Sequence, residues 1–277
     1  MGQYDTHFEP EALLLDMDGV LYHGSRPLLF AREFLQAIEE IPHRFLTNNP
    51  ISTPSQVADR LYEMGLAKVD PQQILTSGLA TARWLNERLP GFRYFAVGAS
   101  GLDRELSLFG TADEKNADYV VVGEGEGLDY ASLTTGINLV LKGGAELVST
   151  NPDHTVDAHV NGEHRVLPGG GALVAAFEVA CGKKAITIGK PQPLLFEMAL
   201  RDLGVPAARC VMVGDRPDTD ILGAQQLGMG TAMVRTGRFA PMAAWPTGQA
   251  APDWDVSNLE QLWLAWRKIW PHWPSKK

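Results

Sequence analysis

LLLDMDGVLYHG, residues 13–24, is the stretch that decides the fold of this chain. Leu13, Leu14 and Leu15 make a short apolar run of the kind a strand buried on both faces shows, and the run stops at Asp16, with Asp18 and Gly19 behind it. Two carboxylates therefore sit just past a buried strand. Open α/β sheets place ligands there, in the crevice beyond the carboxyl ends of the strands. A single acid at such a place is a candidate nucleophile or metal ligand. Two acids two residues apart can divide labour, because burial and mutual repulsion push one pKa above the other. The competing reading is a strand-end turn, since Asp and Gly are good turn formers. D-x-D triplets recur at Asp218/Asp220 and Asp253/Asp255, and Asp253-Trp254-Asp255, which follows no apolar run, reads as a solvated loop. The remaining segments must decide.

Composition narrows the classes. The chain has 277 residues, enough for one large domain or two ordinary ones, and 45% of them are hydrophobic, which can fill a core. A formal net charge of -9, pI near 5.3 and no Lys/Arg run argue against a nucleic-acid surface, so an anionic ligand must be drawn by a local site. Cys181 and Cys210 have neither Cys-x-x-Cys spacing nor a nearby His and read as buried structural thiols, which suits a reducing cytoplasm. The first residues, MGQYDTHFEPEA, show no basic region followed by an apolar one, and no run of 18 apolar residues occurs, so neither secretion nor membrane spanning is expected. Gly2 with Thr6 fits a loose myristoylation pattern that lacks a basic second signal.

Taken in order, residues 29–40 have apolar positions at helical spacing, and residues 43–46 read as a second strand that ends at Thr47-Asn48-Asn49-Pro50. That is one βαβ unit. A Thr hydroxyl and backbone N–H groups at this point can hold phosphate oxygens, helped by a helix beginning near Thr53-Pro54-Ser55; an Asn/Pro-rich cap is the plainer reading. Helices over residues 57–66 and 80–89 flank a strand at 74–76. Strands at 94–97, 119–122 and 146–149 then alternate with helices at 102–109 and 133–141. Turn-rich segments at 123–127 and 151–171 separate them, with Glu124 and Glu126 read as solvated. Gly169-Gly170-Gly171 opens a helix closed by Gly182, and a strand at 185–188 ends at Gly189-Lys190-Pro191. A lysine just beyond a strand end can neutralise phosphate charge or orient a carboxylate, unless it is a plain surface lysine. A buried-type strand at 210–213 leads into Gly214-Asp215-Arg216-Pro217-Asp218-Thr219-Asp220, which puts Asp215 in the same kind of position as Asp16. The two carboxylates can meet on one divalent ion. A helix at 221–227 and a strand at 231–234 follow, and the tail, residues 259–273, carries Leu and Trp at i, i+3, i+4, i+7 spacing, expected to pack back on the core.

Four polar clusters thus follow four short apolar strands, in the order acid pair, Thr/Asn, Lys, acid cluster. Their joint pattern points to metal-assisted phosphoryl transfer onto Asp16. Thr47 to Lys190 is far too long for one crossover, so a second αβ module is inserted there, of a kind that commonly serves as a lid. Through DMDGV at 16–20, TNN at 47–49, Lys190 in IGKPQP and GDRPDTDI at 214–221, the sequence closely resembles the haloacid dehalogenase superfamily of phosphatases. LTSG at 75–78, STNPD at 149–153 and PGGGAL at 168–173 resemble its NagD-type and 4-nitrophenyl phosphate, phosphoglycolate and pyridoxal phosphate phosphatase branch.

The resemblance implies an α/β fold: a Rossmann-like parallel sheet core over residues 1–85 and 185–277, with a C2-type α/β cap over residues 86–184. It implies Asp16 as nucleophile and Asp18 as acid and then base. It also implies Thr47, Asn48, Asn49 and Lys190 as substrate ligands, and Mg2+ on Asp16, the Asp18 carbonyl and Asp215, supported by Asp220. The substrate would be a small phosphorylated metabolite, selected by cap positions such as Glu124, Glu126, Asp129, Asn151, Asp153 and His154. Two departures stand out. Pro50 replaces a usual Ser or Thr, and the cap loop that often reads G-x-D-x-x-x-[ST]-Y reads GEGEGLDY, with Gly125 in place of the acid. A catalytically silent phosphate sensor and a dehalogenase acting on carbon are the alternatives. The first has no need of Asp18, and the second generally lacks that acid and the metal. Dimerisation, through cap or tail, stays open.

Overall fold

The computed structural model describes residues 9–160, 163–239 and 241–274. The Gly2/Thr6 pattern and the first residues of the chain lie outside them. The chain divides into two compact units: Met1–Leu46, Val57–Ile74 and Phe196–Lys277 form one, and Thr47–Gln56 with Leu75–Leu195 form the other.

The first unit is built on a six-stranded sheet in the order Trp254–Val256, Gly230–Val234, Cys210–Gly214, Ala12–Leu15, His43–Thr47, Ile74–Thr76. Ala12–Leu15 lies between parallel partners, with Leu15 opposite Val213 on one side and Phe45 on the other. All four of its residues are fully buried, which is why it reads as an unbroken apolar run rather than an alternating one. One core layer gathers Phe34, Phe45, Trp254, Trp266, Trp270 and Trp273. The tail helix, Leu259–Ile269, starts at Asn258, whose side chain accepts from Gln261 N–H at 2.9 Å, and buries Leu259, Leu262 and Trp266, as the stripe requires. Trp254 and Trp266 meet edge to face at 5.9 Å.

Asp253 and Asp255 are not a solvated loop. They bracket the edge strand Trp254–Val256: the Asp253 carboxylate accepts from Thr231 N–H at 2.7 Å and Oγ1 at 2.9 Å, and Asp255 takes both arms of Arg235 at 2.6 and 2.7 Å. A three-residue edge strand with one buried side chain, Trp254, offers too little alternation to be seen in sequence.

The second unit has its own five-stranded sheet, ordered Ile186–Thr187, Glu146–Ser149, Tyr119–Val122, Arg93–Val97, Thr111–Ala112, with every pair parallel. Val120, Val122, Leu139, Val174 and Phe177 form its core. The strand before Lys190 belongs to this sheet. Residues 151–171, expected as turns, contain a hairpin of Thr155–Val160 on Glu163–Pro168; its second strand is almost wholly exposed, so no apolar run marks it. Among the described residues, no helix is long and apolar enough to cross a membrane.

Candidate active site

Parallel neighbours Ala12–Leu15 and Cys210–Gly214 end side by side, and the Asp16 N–H continues the ladder by donating to Val213 C=O at 2.9 Å. This delivers Asp16 and Asp215 to the same sheet edge. A single π-helical turn at Pro217–Ile221 brings in Asp220, and one carboxylate oxygen from each of the three lies within 4.8 Å of the others. Asp16 is 8% exposed, Asp215 2% and Asp220 0%. Asp215 is held by Arg238 N–H at 2.9 Å and Asp220 by Arg216 N–H at 3.1 Å. Asp218, the third acid of that loop, turns outward to Arg216 instead, at 2.8 Å. Room for the cluster comes from missing side chains. A Cβ on Gly19, whose φ is +81°, would come within 2.5 Å of Asp215 Oδ2, and one on Gly237 or Gly214 would run into Asp215 or Asp220.

At an effective dielectric constant of about 20, each pair of ionised carboxylates at such separations costs roughly 3–4 kcal/mol in repulsion. A hard divalent cation offsets that cost, and an all-oxygen donor set is what such a cation takes. The three residues therefore fit a Mg2+-type ion. Asp18 stands apart from them. It is exposed, with Oδ1 3.4 Å from Nδ1 of His23. Its loop is tied by Gly19 N–H to Tyr22 C=O at 2.8 Å and by Thr236 Oγ1 to Gly19 C=O at 2.6 Å. The Tyr22 phenol accepts from Arg60 at 2.6 Å; its pKa is driven above the ordinary range by burial, against the opposing pull of Arg60, so it stays protonated.

In the second unit, the Thr47 hydroxyl accepts from Asn49 N–H at 3.1 Å and Asn49 Oδ1 from Ile51 N–H at 2.7 Å, a polar turn closing the strand. Thr53 and Gln56 then cap the helix Pro54–Glu63 reciprocally, so the helix begins where Thr53-Pro54-Ser55 placed it. Asn48 reaches across to Lys190: its Oδ1 accepts from Lys190 N–H at 2.7 Å, and its Nδ2 donates to Lys190 C=O at 2.9 Å and to Asp153 Oδ2 at 2.9 Å. Lys190 is only 3% exposed and is no surface lysine.

Residues 13–112 match the family model of haloacid dehalogenase-like hydrolases, and residues 187–262 that of HAD-hydrolase-like proteins. An acid sugar phosphatase of Staphylococcus aureus (strain USA300) is 37% identical over 231 residues, covering 82% of this chain and 87% of its own. The chain belongs to the haloacid dehalogenase-like hydrolases. Within that family it is NagD-like. NagD from E. coli superposes with a TM-score of 0.79 at 31% identity, covering 90% of this chain and 97% of NagD. The p-nitrophenyl phosphatase of Archaeoglobus fulgidus gives 0.85 at 26% identity, covering 93% and 99%.

The loop 123–127 departs from what its sequence suggests. Glu124, expected in solvent, is 2% exposed and accepts from Asn151 Nδ2 at 2.8 Å, while Glu126, Asp129 and His154 are exposed. Asp129 caps the helix Tyr130–Leu141 by accepting from Ser132 N–H at 2.7 Å, which gives it a structural task. Gly125 has φ +100°, and a Cβ there would lie 2.7 Å from that of Ala99, so this backbone leaves no room for a side chain. Ser77, not singled out as a site residue, donates to Asn48 C=O at 2.6 Å. Its signal was the LTSG stretch, legible only as part of the resemblance.

Proposed function

We propose that this haloacid dehalogenase-like hydrolase is a Mg2+-dependent phosphatase of a small phosphorylated metabolite, working through an aspartyl-phosphate. The observation that carries the proposal is the buried Asp16/Asp215/Asp220 cluster at the ends of two parallel strands. Asp16, the Asp18 carbonyl and Asp215 would hold the ion, with Asp220 in support. Bound there, it would offset the charge of carboxylate and phosphate alike.

In the first half-reaction, an Asp16 carboxylate oxygen attacks phosphorus while the ester P–O bond breaks and Asp18 gives its proton to the leaving oxygen. In the second, Asp18 takes a proton from water as that water attacks phosphorus and the P–O bond to Asp16 breaks, releasing inorganic phosphate. Thr47 and Lys190 hold the phosphoryl oxygens, and the N–H groups around Asn48 and Asn49 assist.

Residues 86–184 act in this reading as the cap that selects the leaving group. A sugar phosphate is the first class to try, on the strength of the Staphylococcus aureus relative. The test uses purified protein, Mg2+ and 4-nitrophenyl phosphate. Wild type turns over, EDTA abolishes turnover, added Mg2+ restores it, and Asp16→Asn lowers kcat at least about 10³-fold with an unchanged circular dichroism spectrum. Turnover by Asp16→Asn at the wild-type rate would refute the nucleophile assignment.

A further inference from the structure

We propose that Asn48 is a positioning residue for Lys190: its side chain clasps the lysine's peptide and so fixes the point from which the ammonium reaches the anion. The proposal rests on the phosphatase reading only in taking phosphate as that anion. A primary amide has two N–H donors and one carbonyl acceptor. Both donors of Asn48 are engaged, one by Lys190 C=O and one by Asp153 Oδ2, and the acceptor receives Lys190 N–H. No side-chain donor is left for a phosphoryl oxygen. The family resemblance implied a substrate ligand at 48; the geometry points to a clasp.

Lys190 needs such support. It follows a strand of two residues, Ile186–Thr187, whose parallel ladder is carried on by Ile188 N–H to Ser149 C=O at 3.1 Å and Gly189 N–H to Thr150 C=O at 2.9 Å. At Lys190 the backbone N–H turns to Asn48 instead, and Pro191 offers no N–H to extend the ladder. The clasp closes only over glycine: a Cβ on Gly189 would sit 2.7 Å from both Asn48 Oδ1 and Thr150 C=O.

Asn48 is itself braced. Its carbonyl accepts from Ser77 Oγ at 2.6 Å and from Asn151 Nδ2 at 2.8 Å, and the same Asn151 amide donates to Glu124. The buried glutamate of the GEGEG loop is thus two hydrogen bonds, through Asn151, from the lysine's anchor. A lysine is a point charge on a four-carbon stem with free rotamers, so where its backbone is fixed decides how well the charge is aimed.

A double-mutant cycle on inorganic phosphate affinity tests this, read by calorimetry with Mg2+ present so that no turnover is needed. Asn48→Ala weakens phosphate about tenfold in the wild-type background and by less than twofold in Lys190→Met, because the amide acts only through the ammonium. A tenfold loss in both backgrounds would mean that Asn48 meets the anion directly and would overturn the proposal. Asn48→Leu, similar in volume, uncharged and without donors, gives the same cycle if the alanine variant does not fold. The outcomes separate the two readings: a wild type that binds phosphate with a non-additive cycle but hydrolyses no ester keeps the clasp and loses the phosphatase, whereas one that binds no phosphate loses both.

Discussion

Asp16 and Asp18 are two residues apart and meet opposite surroundings, one buried in an acidic cluster and the other exposed beside His23. The end of the strand accounts for this, since residues two apart on one strand would share a face. The first acid still obeys the sheet, and the second lies in the turn that Gly19 makes possible at φ +81°. An acid outside the cluster can move a proton without disturbing a bound ion. Asp18→Asn therefore slows hydrolysis of alkyl phosphates by about 10²–10⁴-fold, the usual span for general acid–base catalysis. It slows 4-nitrophenyl phosphate less, since that leaving group departs without a proton. A leaving-group series measured on both proteins decides; equal losses throughout would remove the acid role. Glu124 shows the limit of reading residues singly. Between two glycines it has every mark of solvent exposure, yet it is buried and its carboxylate accepts from Asn151, 27 residues onward and past another strand end.

At the scale of elements, the strand His43–Thr47 and the single turn Pro71–Gln73 are joined through one imidazole. His43 Nδ1 donates to Ile41 C=O at 2.6 Å, and its Nε2 accepts from Gln73 Nε2 at 3.3 Å. The orientation of Gln73 is fixed because its Oε1 accepts from Asp70 N–H in a capping box. Both ring nitrogens are thus committed in the neutral form. Burial holds the His43 pKa below its ordinary value of 6.5. In the unfolded chain the ring protonates near 6.5, and in the folded protein only at lower pH. Stability from this group is therefore full above 6.5 and is lost as pH falls toward the folded value. Urea midpoints from pH 7.5 to 5.0 fall more steeply for wild type than for His43→Asn; parallel slopes would show that the imidazole titrates alike in the folded and unfolded chain. The same scale explains which elements were legible. Buried runs such as Cys210–Gly214 announce themselves, while the exposed hairpin at 155–168 and the short edge strand at 254–256 do not, because their residues are held by partners rather than by burial.

At the scale of the whole molecule, the acidic cluster draws on residues about 200 positions apart in sequence, so an ion bound there ties the ends of the first unit together. Anything that binds only the folded state stabilises it by mass action, by about 2.7 kcal/mol at 100 times Kd. Adding Mg2+ at that excess raises Tm by several degrees in wild type and not in Asp215→Asn; equal shifts in both would place the ion elsewhere. The sequence by itself determined the parallel sheet, the four strand-end polar clusters and the family. The first two rest on local signals, apolar runs and turn residues with the spacing between them, and the family on the motifs that resemble it. Only the tertiary structure decided that Asp253 and Asp255 pin an edge strand, that Glu124 is buried and that the Asn48 side chain grips Lys190. Each of these depends on a hydrogen-bond partner contributed by a distant segment, and a side chain's partner, unlike its hydrophobicity, is not written at its own position.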